Sequence, residues 1–185
     1  MISKEQKYFH RKSLRLKNYD YSTEGAYFIT LVIKNREPLL GTIINGEMQC
    51  SEEGSVISSL WEKIPEYYPN VVLDYYVVMP DHFHGILMIS NVVAGSSRHD
   101  MNEYSESKKG QGDPAPTIGS IIGYYKFQTT KSINRIRNSE YKKYWQRNYY
   151  DRIIRNEKEL LGIREYIVNN PLRWAIEKDE YCCEI

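Results

Sequence analysis

Two apolar runs separated by only two residues constrain the fold of this chain most strongly. The runs extend from Val71 to Met79 and from His82 to Ile89, and Pro80-Asp81 lies between them. Both runs are rich in β-branched and aromatic residues, which favours strands, and the proline cannot donate a hydrogen bond to a sheet ladder. We therefore predict two adjacent strands of one sheet with a break at the proline.

The first half of the chain predicts a further strand, a hairpin and a helix. The run from Gly25 to Lys34 is largely apolar on both faces, which is typical of a central strand. Asn45-Gly46 between short apolar runs predicts a hairpin over Leu40 to Gln49. Ser51 is followed by acidic residues and by apolar residues at helical spacing, so a helix is expected from Ser51 to Pro65.

The second half predicts two helices and one strand. The first helix begins at the Thr117 cap and carries its apolar residues on one side. Tyr144 to Ile154 predicts a strand, and Glu157 to Asn169 predicts a helix that stops at Asn170-Pro171. This order of elements resembles an α+β protein with a ferredoxin-like antiparallel sheet and helices packed mainly on one face.

The length of 185 residues predicts a single domain over residues 1–185. Residues 91–116 are polar and lack an apolar period, which predicts a flexible insert within that domain. No run approaches the ~18 apolar residues of a membrane span, and the N-terminus lacks an apolar signal core. The three cysteines suggest neither a disulfide framework nor a zinc site, so we expect a cytoplasmic protein without a membrane partner.

Basic residues are concentrated in two segments although the net charge is only +1. Lys4 to Lys17 holds six basic residues and one acid, and Tyr124 to Arg155 holds nine basic residues and two acids. Such segregation gives a nearly neutral protein a basic face that attracts a phosphate backbone. The alternative is an ordinary solvated helix face, and charge alone leaves both interpretations open.

His82-Phe83-His84 is the first candidate for chemistry. Side chains alternate along a strand, so the two imidazoles project from one face and Phe83 from the other. Two imidazoles on one face are the beginning of a divalent-metal site, which needs a further oxygen or nitrogen ligand. The competing interpretation is a pair of polar histidines on a solvent-facing strand.

Tyr166 is the second candidate, within a predicted helix. Asn170 follows four residues later, so the phenol and the carboxamide share one helix face, while Ile163 and Ile167 turn towards the sheet. A tyrosine oxygen can attack phosphorus when a metal polarises the phosphate. Simple packing is the alternative, since the chain contains 17 tyrosines.

Three motifs in this order resemble a known family. They are VVMPDHFHGI at residues 77–86, YWQRNYYD at residues 144–151 and YIVNNPLRW at residues 166–174. Together they resemble the REP-associated tyrosine transposases of the HUH single-tyrosine transposase superfamily. The resemblance also includes Tyr19-Asp20-Tyr21 and residues 25–30, so it covers most of the chain outside the insert and the C-terminal end.

The resemblance implies an enzyme that cleaves and rejoins single-stranded DNA beside a hairpin. By this likeness, Tyr166 attacks the scissile phosphate to form a 5′-phosphotyrosine and a free 3′-OH. His82 and His84 bind Mg²⁺ or Mn²⁺, and Asn170 supplies a further ligand. Imidazole ligands are more typical of Mn²⁺ or Zn²⁺ than of Mg²⁺, so the motif gives the position of the ion but not its identity.

The same likeness implies single-stranded or hairpin DNA as the partner of a monomer or a homodimer. Basic residues of the two segments are the expected backbone contacts. The selected residues are Arg11, Lys12, Lys126, Lys131, Arg135 and Arg147. Trp145, Tyr149 and Tyr150 are either stacking surfaces for unpaired bases or core residues.

Two other functions compete with the tyrosine enzyme. A non-cleaving module of the same fold would only bind hairpins, and Tyr166→Phe would then change nothing. A metal-dependent hydrolase would use His82 and His84 with water as the nucleophile, and it would form no covalent adduct with DNA. The presence of both histidines together with Tyr166 and Asn170 favours the tyrosine enzyme.

Overall fold

The structure is a computed structural model that describes residues 23–90 and 116–182. Its elements, in chain order, are β1 Gly25–Val32, β2 Gly41–Ile44, β3 Glu47–Cys50, α1 Glu52–Glu62, α2 Ile64–Tyr67, β4 Val71–Met79, β5 His82–Ile89, α3 Ile118–Ile136, β6 Tyr150–Ile154 and α4 Glu157–Cys182. A short 3-10 helix, Lys34–Arg36, follows β1. Two of the predicted DNA contacts, Arg11 and Lys12, lie outside the described residues. The same holds for almost the whole of the predicted insert at residues 91–116.

Four strands form one antiparallel sheet in the order β4-β5-β1-β6. β1 lies between two neighbours, as its apolar faces predicted. β2 and β3 form a separate hairpin, in which Asn45 and Gly46 have φ angles of 53° and 78°. Positive φ at both central residues is what a two-residue hairpin turn requires. The α+β class and the antiparallel sheet are confirmed.

The two faces of the sheet are covered unequally. α1 and α3 pack on one face around Trp61, Phe83 and Tyr125, whose ring centroids lie 4.7 to 5.9 Å apart. α4 packs on the opposite face through a small cluster of isoleucines. This cluster consists of Ile86, Ile154, Ile163 and Ile167. The prediction that helices pack mainly on one face is confirmed. The candidate site lies on the other face, which α4 covers.

The predicted strand over residues 144–154 is wrong in its first half, because the strand β6 begins at Tyr150. Before β6 the chain makes an isolated bridge between Trp145 and Ile33, and the backbone N–H of Gln146 donates to the carbonyl oxygen of Val32 at 2.8 Å. Lys126 of α3 accounts for the interruption between this bridge and β6. Its Nζ donates to three successive carbonyl oxygens, those of Gln146 at 2.6 Å, Arg147 at 3.4 Å and Asn148 at 3.2 Å. Successive carbonyls of a strand point in opposite directions, whereas these three converge on one ammonium group.

The predicted end of the last helix at Asn170-Pro171 is also wrong, because α4 continues to Cys182. Pro171 removes one backbone hydrogen bond from the helix. Packing on both sides of the proline offsets this loss. Ile167 and Asn170 are buried before it, and the ring of Trp174 after it lies 5.7 Å from that of His82. Tertiary contacts of this kind outweigh a local signal.

Candidate active site

His82 and His84 lie side by side on the face of the sheet that α4 covers. Only 8% and 5% of their surfaces are exposed, and their ring centroids are 4.7 Å apart. Phe83 points to the other face and belongs to the main core, as strand alternation predicted. The interpretation of the pair as solvent-facing histidines is therefore wrong.

Each histidine is held by a hydrogen bond at its Nδ1 atom. His82 Nδ1 donates to Asp81 Oδ1 at 2.5 Å, and Asp81 Oδ2 accepts from Arg36 at 3.2 Å. His84 Nδ1 lies 2.8 Å from Thr30 Oγ1, because β1 and β5 pair with these two residues opposite each other. These bonds leave the Nε2 atom of each ring as the nitrogen available to a ligand.

Burial and neighbouring charges set the protonation of this cluster. Burial, with a smaller contribution from His82, lowers the pKa of His84 to about 3, and Asp81 opposes the shift. His84 is therefore neutral at physiological pH. Burial raises the pKa of Asp81, but the hydrogen bonds and charges of His82 and Arg36 outweigh it and hold that pKa below its usual value. Asp81 is therefore a carboxylate.

Tyr166 approaches the histidine pair from α4. Its Oη lies 3.3 Å from His84 Nε2, and the two ring centroids are 5.3 Å apart. Asn170 is buried one helical turn later and lines the same pocket, whose volume is about 300 Å³. The structure thus brings together all four residues that the sequence suggested as catalytic or metal-binding, namely Tyr166, His82, His84 and Asn170.

Sequence reasoning missed the other residues that line this pocket. They are Thr30, Val32, Arg36, Arg173, Trp174 and Glu177. The first three come from β1 and the turn after it, and only the strand register could have indicated them. The last three continue the α4 row that begins at Tyr166, since they follow it by seven, eight and eleven residues. The predicted helix end at Pro171 concealed that row.

The side chains of the pocket fit a divalent cation in part. Two imidazoles and the Asn170 amide line it, and metal-ligating histidines usually bond a carboxylate or an oxygen through the other ring nitrogen, as His82 and His84 do. Within residues 23–90 and 116–182, no three His, Cys, Asp or Glu side chains gather as a metal cluster. A cation here would depend on Asn170 and on oxygens from outside the chain.

A larger groove, of about 1330 Å³, lies between α3 and the segment 143–150. Its described lining contains no acidic residue and four basic ones, Lys34, Lys126, Lys143 and Arg147. Phe127 and Tyr150 also line this basic groove, and each exposes more than half of its surface. One lining residue of the groove, Tyr150, is the cross-strand partner of Thr30, which lines the active-site pocket.

Three of the predicted DNA contacts are exposed at or beside the basic groove. Arg147 lines it, whereas Lys131 and Arg135 lie on α3. Phe127, Lys131 and Arg135 follow one another at four-residue spacing, so they form one row on the helix surface. Positive charge next to exposed aromatic rings is the combination that single-stranded nucleic acid binds.

Two other predicted residues have structural contacts. The Lys126 ammonium has three N–H donors and binds three carbonyls, and burial lowers its pKa to about 8. A phosphate could bind Lys126 only in exchange for those bonds. Trp145 is a core residue, because it is 6% exposed and its Nε1 donates to Thr129 Oγ1 at 2.9 Å. Of the three predicted stacking residues, Tyr150 is exposed and Tyr149 is half-buried.

Comparison with known proteins finds relatives of this chain, although no protein-family model matches it. A Haemophilus influenzae protein without an assigned function is 44% identical over 171 residues, which cover 92% of each chain. A second Haemophilus influenzae protein, assigned by name to the REP-associated tyrosine transposases, is 24% identical over 168 residues and is matched over 85% of this chain and 77% of its own length.

One solved structure has the same fold. It is a REP-associated tyrosine transposase bound to a REP hairpin, and it matches with a TM-score of 0.55 and 20% identity over 86% of this chain and 74% of that one. In sequence and fold the chain is similar to REP-associated tyrosine transposases, in agreement with the resemblance of the three motifs. Within the described residues, no helix combines the length and the apolar character that crossing a membrane requires.

Proposed function

We propose that this protein cleaves and rejoins single-stranded DNA beside a hairpin, with Tyr166 as the nucleophile. The observation that carries the proposal is the Tyr166 Oη, 3.3 Å from His84 Nε2 in a pocket that His82 and Asn170 also line. A tyrosine that served only packing would not require a pair of buried, oriented histidines opposite its hydroxyl. The solved relative with a bound REP hairpin supports hairpin DNA as the partner.

The proposed reaction exchanges one phosphodiester for another. Tyr166 Oη forms a bond to phosphorus, and the bond from phosphorus to the 3′ oxygen breaks. The phenol proton leaves to solvent and the 3′ oxygen takes up a proton, which gives a 5′-phosphotyrosine and a free 3′-OH. Attack by a 3′-OH on the phosphotyrosine reverses these changes, so rejoining needs no external energy source.

Residues around the pocket would prepare the phosphate for attack. His82, His84 and Asn170 would hold a divalent cation, Mg²⁺ or Mn²⁺, which when bound polarises a phosphate and neutralises part of its charge. Asp81 and Thr30 fix the two imidazole rings before DNA binds, so less ordering is needed at the moment of reaction. Arg36 and Arg173 add positive charge at the pocket.

The basic groove is the proposed path of the DNA strand. Phe127 and Tyr150 offer exposed rings on which bases can stack, and Arg147, Lys131 and Arg135 offer charges for phosphates. Because Tyr150 of the groove is the cross-strand partner of Thr30 of the pocket, a DNA strand that follows the groove would pass close to Tyr166. This role would place the protein with the DNA of the cell, in the cytoplasm.

A denaturing gel tests the proposal directly. Purified protein is incubated with labelled single-stranded hairpin DNA and Mn²⁺, and wild type is compared with Tyr166→Phe. We expect a slowly migrating covalent adduct that the variant does not form. Tyr141→Phe is the matched control, because Tyr141 is 91% exposed and does not line the active-site pocket. Cleavage without an adduct would identify water as the nucleophile, and binding without cleavage would identify a binding module.

A further inference from the structure

A second cavity, of about 430 Å³, adjoins the active-site pocket at Tyr166. It is lined by Phe28, Arg152, Glu159, Gly162, Ile163 and Tyr166. Among the described residues, Tyr166 alone lines both this flanking cavity and the active-site pocket. The phenol ring is therefore a shared wall, and a group bound in the flanking cavity would lie next to any phosphate attacked by the Tyr166 oxygen.

The ring of Phe28 forms an apolar wall of the flanking cavity and is held by its neighbours. It stacks on His84 with a centroid distance of 5.2 Å and an interplanar angle of 20°. It also meets Tyr166 edge to face at 6.1 Å. Flat aromatic and apolar walls are what proteins use to bind an unpaired base.

Gly162 determines the width of the flanking cavity. A Cβ atom placed on Gly162 would meet nothing within 4 Å, so the position is open towards the cavity rather than crowded by the fold. Glycine within a helix is less favourable than alanine. The lack of a side chain thus keeps space beside Tyr166, and it is not required by the backbone conformation.

A fixed polar group lies at the edge of the flanking cavity. Arg152 is the cross-strand neighbour of Phe28, and its Nε and Nη2 atoms both lie 2.7 Å from Glu159 Oε1. Glu159 Oε2 in turn accepts from the backbone N–H of Arg155 at 3.0 Å. The Arg152 side chain is 68% exposed, so its planar guanidinium is oriented and still accessible to a base edge.

We propose that the flanking cavity binds the base of a nucleotide next to the scissile phosphate, with its ring against Phe28 and its edge towards Arg152. This inference rests on the proposed function, because it takes Tyr166 as the residue that attacks that phosphate. A base held there fixes the strand relative to the Tyr166 oxygen. The cavity therefore helps to determine which phosphodiester is cut.

Filling the cavity tests this assignment. Gly162→Leu places a side chain in the cavity, and Gly123→Leu is the matched control, because Gly123 is also helical and open but lies on α3 outside both cavities. We expect Gly162→Leu to slow adduct formation by about 10- to 100-fold, as expected when a reacting group is displaced by an ångström. Gly123→Leu should react like wild type.

Removing the base provides the complementary measurement. DNA with a single abasic nucleotide is tested at each position around the cut, and one position should restore the rate of Gly162→Leu, since a missing base makes room for the leucine. A second measurement uses DNA that carries a fluorescent adenine analogue at that position. Its fluorescence should change when this DNA binds the Tyr166→Phe protein, and it should not change when the DNA binds the double variant Tyr166→Phe, Gly162→Leu. Circular dichroism confirms that each variant is folded.

These measurements separate the two proposals. If wild type forms the adduct but Gly162→Leu is equally fast, or is slow with every abasic substrate, the flanking cavity is not a base site. A different outcome is that no adduct forms, while the fluorescence of the analogue still changes on binding and Gly162→Leu removes that change. The cleavage proposal then fails and the base site stands. A variant that unfolds is replaced by Phe28→Leu, which should weaken the analogue response in the same way.

Discussion

Arg164 of α4 and Asp74 of β4 form a two-point ion pair that joins the helix to the edge of the sheet. Nε lies 3.0 Å from Oδ1 and Nη2 lies 2.5 Å from Oδ2. Arg164 precedes Tyr166 by two residues. The pair therefore fixes α4 close to the proposed nucleophile, and its strength affects both the stability of the fold and the position of the phenol.

We predict that Asp74→Asn lowers the melting temperature at pH 7 by about 2–4 °C, a modest effect because the guanidinium is partly exposed. Hydrogen bonds from Arg164 hold the pKa of Asp74 below its usual value. The pair therefore stabilises the fold fully at pH values above the pKa of about 4 that Asp74 has in the unfolded chain. This stabilisation is lost as the pH falls through the lower pKa that Asp74 has in the folded protein. Thermal melts between pH 7 and pH 3 should show the two proteins converging at low pH, and a difference that grows there would contradict this account.

Thr30→Val should impair cleavage more than DNA binding. The change keeps the shape of the side chain but removes the oxygen 2.8 Å from His84 Nδ1, so the ring loses the contact that orients it. Loss of such a partner typically costs about 10- to 100-fold in metal affinity or activity. The measurement is the rate of adduct formation as a function of Mn²⁺ concentration. Thr42→Val on β2 is the control, because Thr42 is exposed and does not line the pocket.

His82→Ala and His84→Ala should abolish metal-dependent cleavage and leave hairpin affinity within a few fold, since contacts to the backbone supply most of that affinity. Both imidazoles lie in the pocket next to Tyr166, whereas the basic groove is lined by other residues. Cleavage and hairpin binding are measured on the same DNA with added Mn²⁺. Cleavage at the wild-type rate in either variant would remove the metal assignment.

Lys131→Gln combined with Arg135→Gln should weaken DNA binding and flatten its salt dependence. Each cation that contacts a phosphate contributes about one unit to the slope of log affinity against log salt, so the double change should reduce the slope by about two. Titrations at several salt concentrations measure the slope. Lys63→Gln, a change of an exposed lysine beyond the end of α1, is the control. An unchanged slope would show that the row beside Phe127 is not a DNA contact.

The site could be predicted from sequence where it depends on local periodicity. Alternation along β5 places His82 and His84 on one face of the strand, and helical spacing places Tyr166 and Asn170 on one face of α4. Each of these two pairs could therefore be predicted from the sequence. Their meeting at 3.3 Å depends on how α4 packs on the sheet, which no local pattern encodes. The motif resemblance supplied that step.

The missed features depend on contacts between distant residues. Thr30 bonds His84 because of strand register, and the two residues are 54 positions apart. Lys126 binds the carbonyl oxygens of residues 146–148 from 20 or more positions away, and the strand is interrupted there. A proline usually marks the end of a helix, but the prediction of an end at Pro171 is wrong because Asn170 and Trp174 pack on either side of it. In each case a tertiary contact outweighed a local preference.

The passage of α4 through Pro171 has a consequence for how the site comes together. Tyr166, Asn170 and Trp174 lie on one continuous helix, so a movement of α4 carries all three by the same displacement, while the histidines stay with the sheet. The site is therefore assembled or separated as a whole. Loss of the Asp74–Arg164 pair would weaken the attachment of α4 to the sheet. We expect such a change to lower the fraction of molecules that have an assembled site, and not the reaction rate of the molecules in which the site is assembled.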